Sequence, residues 1–390
     1  MSEWQSNDSR SRPTLVTVAR EWGRVGCIGF GGPPTHIALL RELCVEKYRW
    51  LSAGEFEDGI AACNLLPGPA STQLAIFCAW RVAGAPGALV GGVAFIVPGL
   101  VAILGLARVF LAASPPTWVL GAAAGAGAAV AAVAVSAGVG LLPASWQRFT
   151  EPRWRWIMYA VAGATAAASV GPWLVVVLLG CGFVEIGWRR FGRDQHLGLH
   201  LGPFALAAVV PATGGLLSLA WVAFKAGALS YGGGFVIIPM MQGDAVDHYH
   251  WMTNAQFLSA VALGQVTPGP VVQTVAVVGY AAAGIAGGLL AALIAFAPSF
   301  VFVLAGARHF DSLRHNASVR AFLDGAGPAA IGAIIGVAIP LALALGEAWQ
   351  FGVLGAAAVL LFAFRRGVVL TLLLAAAAGL IAAQLGAPLP

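Results

Sequence analysis

The chain has 390 residues, of which 59% are hydrophobic and 9% charged, with a formal net charge of +5. Mean hydropathy is +0.85. Soluble domains carry about 25% charge, so this composition excludes an ordinary soluble enzyme or binding module. The excess positive charge is arginine near the ends of apolar runs. That is a pattern of membrane topology, not of a nucleic-acid surface.

Residues 1–13 (MSEWQSNDSRSRP) are polar and lack an apolar core, so they do not read as a cleavable signal. A cytoplasmic N-terminus is expected. The next segment, 14–190, holds three motifs: FGGPP at Phe30 to Pro34, YRW at Tyr48 to Trp50, and LPGP at Leu66 to Pro69. Apolar runs near the roughly 20 residues of a membrane crossing follow at Gly87 to Leu106, Val119 to Leu142 and Leu174 to Ile186. A polar stretch, Arg189 to His200, leads into a linker over 191–214, with a connecting crossing expected at 201–217. From 215 to 388 the same device returns: YGGGF at Tyr231 to Phe235, YHW at Tyr249 to Trp251, TPGP at Thr267 to Pro270, then a run at Ala330 to Leu345.

The motifs match at an offset of 201, and Pro98/Pro298, Gly125/Gly325 and Gly127/Gly327 match at 200 after a one-residue slip. The chain is therefore read as two homologous repeats. Their charges are opposed. Arg41, Lys47 and Arg49 face Asp244 and Asp247 in the copy; Arg148, Arg153 and Arg155 face Glu347; the single arginine near 108 faces Arg308, Arg314 and Arg320. By the positive-inside rule the repeats are expected to be inverted. Arginines flank FGGPP on both sides, and Glu55, Asp58 and Arg81 flank LPGP. Both segments are expected to be broken or re-entrant helices. The fold class is thus an all-α polytopic membrane protein of two inverted repeats, whose FGG and PGP breaks meet at a central site.

Duplicated Gly/Pro breaks in the two halves of a membrane protein point to a transporter's substrate site. Proline suits a first helical turn, and a helix N-terminus offers free N–H groups and about half a positive charge. Four converging N-termini would make an anion site. The candidate residues in the first half are Arg24, Phe30, Gly31, Gly32, Thr35, Asn64, Pro67, Gly68, Pro69, Ser71, Thr72 and Gln73. In the second half they are Lys225, Tyr231, Gly232, Gly233, Gly234, Gln265, Pro268, Gly269, Pro270, Gln273 and Thr274. Arg24 and Lys225 each stand seven residues before a Gly-Gly break, and an intramembrane cation is usually functional. The plain alternatives are ordinary helix kinks and side chains that snorkel to the interface.

Weaker candidates are Glu185 and Asp324 as proton carriers and the His248/His250 pair as metal ligands. A solvated loop is the favoured reading of the histidines. Five cysteines without CxxC spacing read as reduced core residues. No catalytic or nucleotide-binding motif stands out, so neither an enzyme nor a cofactor is expected.

The FGG…YRW…NLLPGP block and its copy YGGG…YHW…QVTPGP resemble the chromate transporter family, long-chain type, over nearly the whole chain. The first half departs from the family pattern, with FGGPP where a third glycine is usual. The resemblance implies chromate export across the bacterial inner membrane and chromate resistance. It implies chromate as substrate, sulfate as a competitor, the lipid bilayer as medium, and no nucleic-acid partner. A homodimer is a candidate assembly. The rival readings are a sulfate or other anion permease, a membrane-embedded enzyme, and a structural or scaffold membrane protein, the last of which leaves the paired cations beside paired breaks unexplained.

Overall fold

In a computed structural model, residues 13–63, 66, 68–112, 114–169, 174–191, 215–230, 234–306 and 316–390 are described. The described residues are helical, with no strand among them. Four helices among them are long and apolar enough to cross a membrane: Ala70–Phe110, Thr117–Arg148, Val271–Gly306 and Ala317–Leu343. The expected crossing at 201–217 falls largely outside the described residues.

The first half opens with α1 (Leu15–Ile28), capped by the Thr14 hydroxyl, which accepts from the Thr17 N–H. The chain breaks at Gly31 and Gly32, whose φ values of 99° and 77° suit glycine. It resumes as α2 (Pro33–Arg41), with proline in the first turn. A π-helical turn, Glu42–Lys47, follows. It brings Tyr48 and Lys47 back to Glu21 of α1, at 3.0 Å and 3.3 Å. The two segments therefore fold back on each other, with the glycine break at the turn. Trp50 stacks on Tyr48 at 4.3 Å and faces Trp22 at 6.1 Å, closing the base of this hairpin.

The second hairpin pairs α3 (Ala53–Cys63) with the first arm of α4 (Ala70–Phe110). Arg81 pairs with Glu55, so the start of α3 lies beside the end of that arm. Gly59 lies against Phe77 and Leu74, and a Cβ added there would displace the Phe77 ring. The arm ends at a non-helical Ala83 and Gly84, the latter at φ 65°. Then come α5 (Thr117–Arg148), α6 (Arg153–Ser169) and α7 (Leu174–Phe191).

The second half repeats this order. Lys225 of α8 (Leu216–Ala228) reaches Asp244 at 2.6 Å, beyond α9 (Ile238–Gln242), in the matching π-helical turn. Tyr249 stacks on Trp251 at 4.6 Å. Helix α10 (Asn254–Val266) leads to the PGP break, a single 3₁₀ turn at Val271–Gln273, and α11 (Thr274–Gly306). Helix α11 kinks at Ala283 and Gly284, the counterparts of Ala83 and Gly84 at offset 200. The remaining helices are α12 (Ala317–Gly336), α13 (Ala338–Leu343), α14 (Ala348–Ala358) and α15 (Val368–Gln384). The apolar run read from Ala330 to Leu345 is thus the end of α12 plus α13, joined through Val337, whose own dihedrals stay in the right-handed helical region.

The one-residue slip has a structural cause. Gln73 donates its N–H to Pro69, four residues back, whereas Gln273 donates to Pro270, three back. A 3₁₀ turn uses fewer residues than an α turn, so both glutamines reach equivalent places.

The halves interlock. The homologous helices α4 and α11 pack antiparallel: Gly92 receives the Phe300 ring and Gly288 receives the Leu104 side chain. The last two helices of each half pack on the long middle helix of the other, α6 and α7 on α12, and α14 and α15 on α5. Small residues allow these backbones to touch. Gly163 lies on the Ala329 carbonyl, Gly332 on Ala160, and Gly125 on Gly379.

Candidate functional site

The breaks of the two halves meet. The Gly269 N–H of the second PGP donates to the carbonyl of Gly29, beside the first glycine break, at 3.0 Å. Val271, just past that PGP, lies 3.9 Å from where a Gly32 Cβ would sit and 3.3 Å from that of Gly234. Gly99 of α4 is pressed on the Pro268 carbonyl and the Gln273 amide. At the matching place in α11, the Ser299 hydroxyl stands 3.4 Å from the Cβ position of Gly68. Each PGP therefore packs on the long helix of the opposite half.

Glycine is demanded at these points. Gly68, Gly234 and Gly269 have φ of 118°, 96° and 97°, and the Gln73 and Gln273 amides crowd against Gly68 and Gly269.

What gathers here is neutral and polar. Ser71, Thr72, Gln73, Gln265, Gln273, Thr274, Ser230 and Ser299 are all buried. The Gln273 Nε2 donates to the Ile96 carbonyl at 2.8 Å, and the Thr274 hydroxyl to the Val271 carbonyl at 2.9 Å. Five other buried atoms have no hydrogen-bond partner among the described residues: Thr72 Oγ1, Ser230 Oγ, Gln265 Nε2, Gln273 Oε1 and Ser299 Oγ. A buried unpaired polar group costs about 1–3 kcal/mol. Four of these five can donate a hydrogen bond, and Gln273 Oε1 is the acceptor among them. Thr72 lies in the first turn of α4, Ser230 just past α8, Gln265 in the last turn of α10 and Ser299 within α11, so the unpaired donors come from both halves, and only Thr72 is at a helix N-terminus.

The structure distributes the sequence candidates unevenly. Gly31, Gly32, Gly68, Pro69, Ser71, Thr72, Gln73, Gly234, Gln265, Pro268, Gly269, Pro270, Gln273 and Thr274 lie at or beside the breaks. Thr35 is near them, its hydroxyl 3.1 Å from the Gly31 Cβ position, while the Phe30 ring is exposed. Asn64, Pro67, Tyr231, Gly232 and Gly233 lie outside the described residues. Arg24 and Lys225 are not brought together. Arg24 is half-exposed, 3.5 Å from Glu21, and Lys225 is paired with Asp244 at the base of its hairpin. The cause is a charge swap: the first half puts the acid on its first helix and the base on the π-helical turn, and the second half does the reverse.

Glu185 and Asp324 belong to a separate ion network tying α6, α7 and α12 together. Glu185 accepts from Arg155, from Tyr159 at 2.9 Å and from Arg189 at 2.8 Å, while Asp324 accepts from Arg189 at 2.7 Å. His250 is held by the Val246 carbonyl at 2.7 Å, and His248 packs edge-on against Tyr249.

Sequence reasoning missed three participants. Ser299 corresponds to Gly99, so the repeat gave no polar match. Ser230 corresponds to Gly29 for the same reason. His36 is fully buried between the two breaks of the first half, and its signal was a lone imidazole in the apolar segment PPTHIALL.

The family model for the chromate transporter matches residues 16–186 and again 217–380. The chain is 32% identical over 344 residues to the chromate transport protein of Cupriavidus metallidurans, covering 84% of this chain and 83% of that one. It is 30% identical over 341 residues to a probable chromate transport protein of Synechococcus elongatus, covering 84% of each. An uncharacterized transporter of Methanocaldococcus jannaschii is 25% identical over 361 residues, 86% of each. No solved structure matches the chain. With the family model covering both halves and such relatives aligned along most of its length, the chain belongs to the chromate transporter family.

Proposed function

We propose that this protein is a secondary transporter that carries chromate out of the cytoplasm across the bacterial inner membrane, and so confers chromate resistance. The observation that carries the reading is the meeting of Gly/Pro breaks from both halves around buried, unpaired donors, joined by the Gly269–Gly29 hydrogen bond. Relatives named for chromate transport supply the substrate. A tetrahedral dianion would be held by hydroxyl, amide and backbone N–H groups, as helix N-termini hold sulfate or phosphate. Sulfate has the same shape and charge and is the expected competitor.

The two halves act as inverted repeats, with the glycine and PGP breaks entering the membrane as re-entrant hairpins. Antiparallel packing of α4 and α11 supports this: if both cross the membrane, the axis relating them lies in its plane. Non-helical backbone is tolerated at that depth because it is buried in protein. Alternating access would be a rocking of one half against the other around the breaks.

The membrane potential suffices as a driving force. A dianion leaving a negative interior gains about 2.3 kcal/mol per charge per 100 mV, or roughly 4–5 kcal/mol. Radiolabelled chromate in everted vesicles tests the proposal. Vesicles with an inside-positive potential should accumulate chromate, unlabelled sulfate should compete, and collapsing the potential should reduce uptake. Uptake that ignores both the potential and the protein would reject export by this chain.

A further inference from the structure

His36 occupies a place that the anion-site reading does not by itself explain. It is fully buried, and its ring stands edge-on to Phe95 at 5.1 Å. Its Nε2 lies 2.9 Å from the Gly29 carbonyl oxygen, and its Nδ1 lies 3.2 Å from the Ser71 hydroxyl. The ring thus ties the glycine break of the first half to the PGP break of the same half. The same Gly29 oxygen accepts from Gly269 of the second half. One side chain touches the junction of three breaks.

The tautomer follows from the partners. A carbonyl only accepts, so Nε2 carries a hydrogen. In the neutral ring Nδ1 is then an acceptor, and the Ser71 hydroxyl spends its hydrogen on it. When the ring is protonated, Nδ1 becomes a donor. Ser71 Oγ must accept, and its own hydrogen is released to turn elsewhere. The adjacent residue, Thr72, has a buried hydroxyl without a partner among the described residues. Protonation therefore adds Ser71 to the donors at the breaks and places a positive charge behind them.

The groups facing the ring are uncharged. From the end of α1 it meets the Gly29 carbonyl, from the first arm of α4 the Ser71 hydroxyl, and from the second arm the Phe95 ring. The charged groups of the elements around it stand elsewhere: Arg20, Glu21 and Arg24 of α1 cluster with Lys47, Arg41 of α2 pairs with Glu46 and Glu57, Arg81 of α4 pairs with Glu55, and Arg108 lies in the last turn of α4. A negative charge arriving beside a buried imidazole favours its protonated form. The second half lacks the device, because Ile237 and Val272 stand where His36 and Ser71 stand in the first.

We propose that His36 is a proton-linked positioning residue, which takes up a proton when a tetrahedral oxyanion binds at the breaks and thereby turns the Ser71 hydroxyl toward that anion. The proposal rests on the reading of the breaks as an anion site. By linkage, the anion raises the proton affinity of His36 as much as the proton raises the affinity for anion. The proton comes from solvent, and no covalent bond to the anion forms.

Calorimetric titration of chromate into the purified full-length protein tests this. The titration is run at about pH 8, well above the ordinary imidazole range, in Tris and in HEPES; phosphate buffer is avoided because it is itself a tetrahedral oxyanion. The dependence of the heat on buffer ionisation gives the protons taken up per chromate. The wild type should take up a fraction approaching one proton. His36→Gln keeps a donor for Gly29 and an acceptor for Ser71 but cannot titrate. It should take up none and bind about tenfold more weakly, the equivalent of one charge-assisted hydrogen bond. Ser71→Ala leaves the ring in place and should also weaken binding about tenfold. Wild-type binding without proton uptake overturns the proposal. So does uptake that persists in His36→Gln, or unchanged affinity in Ser71→Ala. Failure of every form to bind chromate would overturn the anion-site reading as well, so the two failures are distinguishable.

Discussion

Lys225 and Asp244 show how a single residue's role depends on a partner distant in sequence. Both side chains are nearly buried and lie 2.6 Å apart. Removing one charge from a buried pair strands the other, at a cost of about 3–5 kcal/mol. Lys225→Gln should therefore lower the thermal midpoint sharply. Lys225→Gln combined with Asp244→Asn should recover most of it, because neither charge is then stranded. Chromate affinity of the double variant separates the roles. Wild-type affinity is expected if the pair only fastens the hairpin base, and a large loss would return Lys225 to the substrate site. In sequence, Lys225 matched Arg24 at the motif offset and invited a symmetric role. The match concealed the charge swap, since Glu21 and Asp244 do not align with each other.

At the level of elements, the breaks were legible and their partners were not. Gly-Gly-Pro and Pro-Gly-Pro cannot continue a helix, so the interruptions follow from residue chemistry alone. The kinks at Gly84 and Gly284 were hidden, because a lone glycine in an apolar run does not announce a positive φ. The 3₁₀ turn at Val271–Gln273 was visible only as a missing residue. Gly269 offers an element-scale test. It has φ of 97°, crowds Gln273, and donates the hydrogen bond that joins the halves. Gly269→Ala should strain the backbone by about 1–3 kcal/mol and displace that donor. Chromate affinity should fall at least severalfold. Gly54→Ala, where an added Cβ meets nothing within 4 Å, is the control and should change stability by no more than about 0.5 kcal/mol. Equal behaviour of the two variants would show that the PGP backbone is only a kink.

For the whole molecule, the duplication was plain in sequence because it is written in motifs. The interlocking was not, because exchange of helices between halves leaves no local mark. Gly163 and Gly332 look like ordinary small residues until the backbones of α6 and α12 are seen in contact. Inverted topology makes a direct prediction. Cysteines placed near Arg41 should be labelled from the cytoplasm, and cysteines near Asp247 from outside. Labelling of both from one side would refute the inverted arrangement.

The central claim is that neutral donors from both halves hold one anion. Thr72 of the first half and Ser299 of the second each present a buried hydroxyl with no partner among the described residues. Equilibrium chromate binding to purified Thr72→Val, Ser299→Ala and the double variant tests that claim most directly. Each single change should weaken binding about tenfold, and the double should fall short of or exceed the sum, because both groups touch one ligand. Wild-type affinity in the double variant would contradict the account.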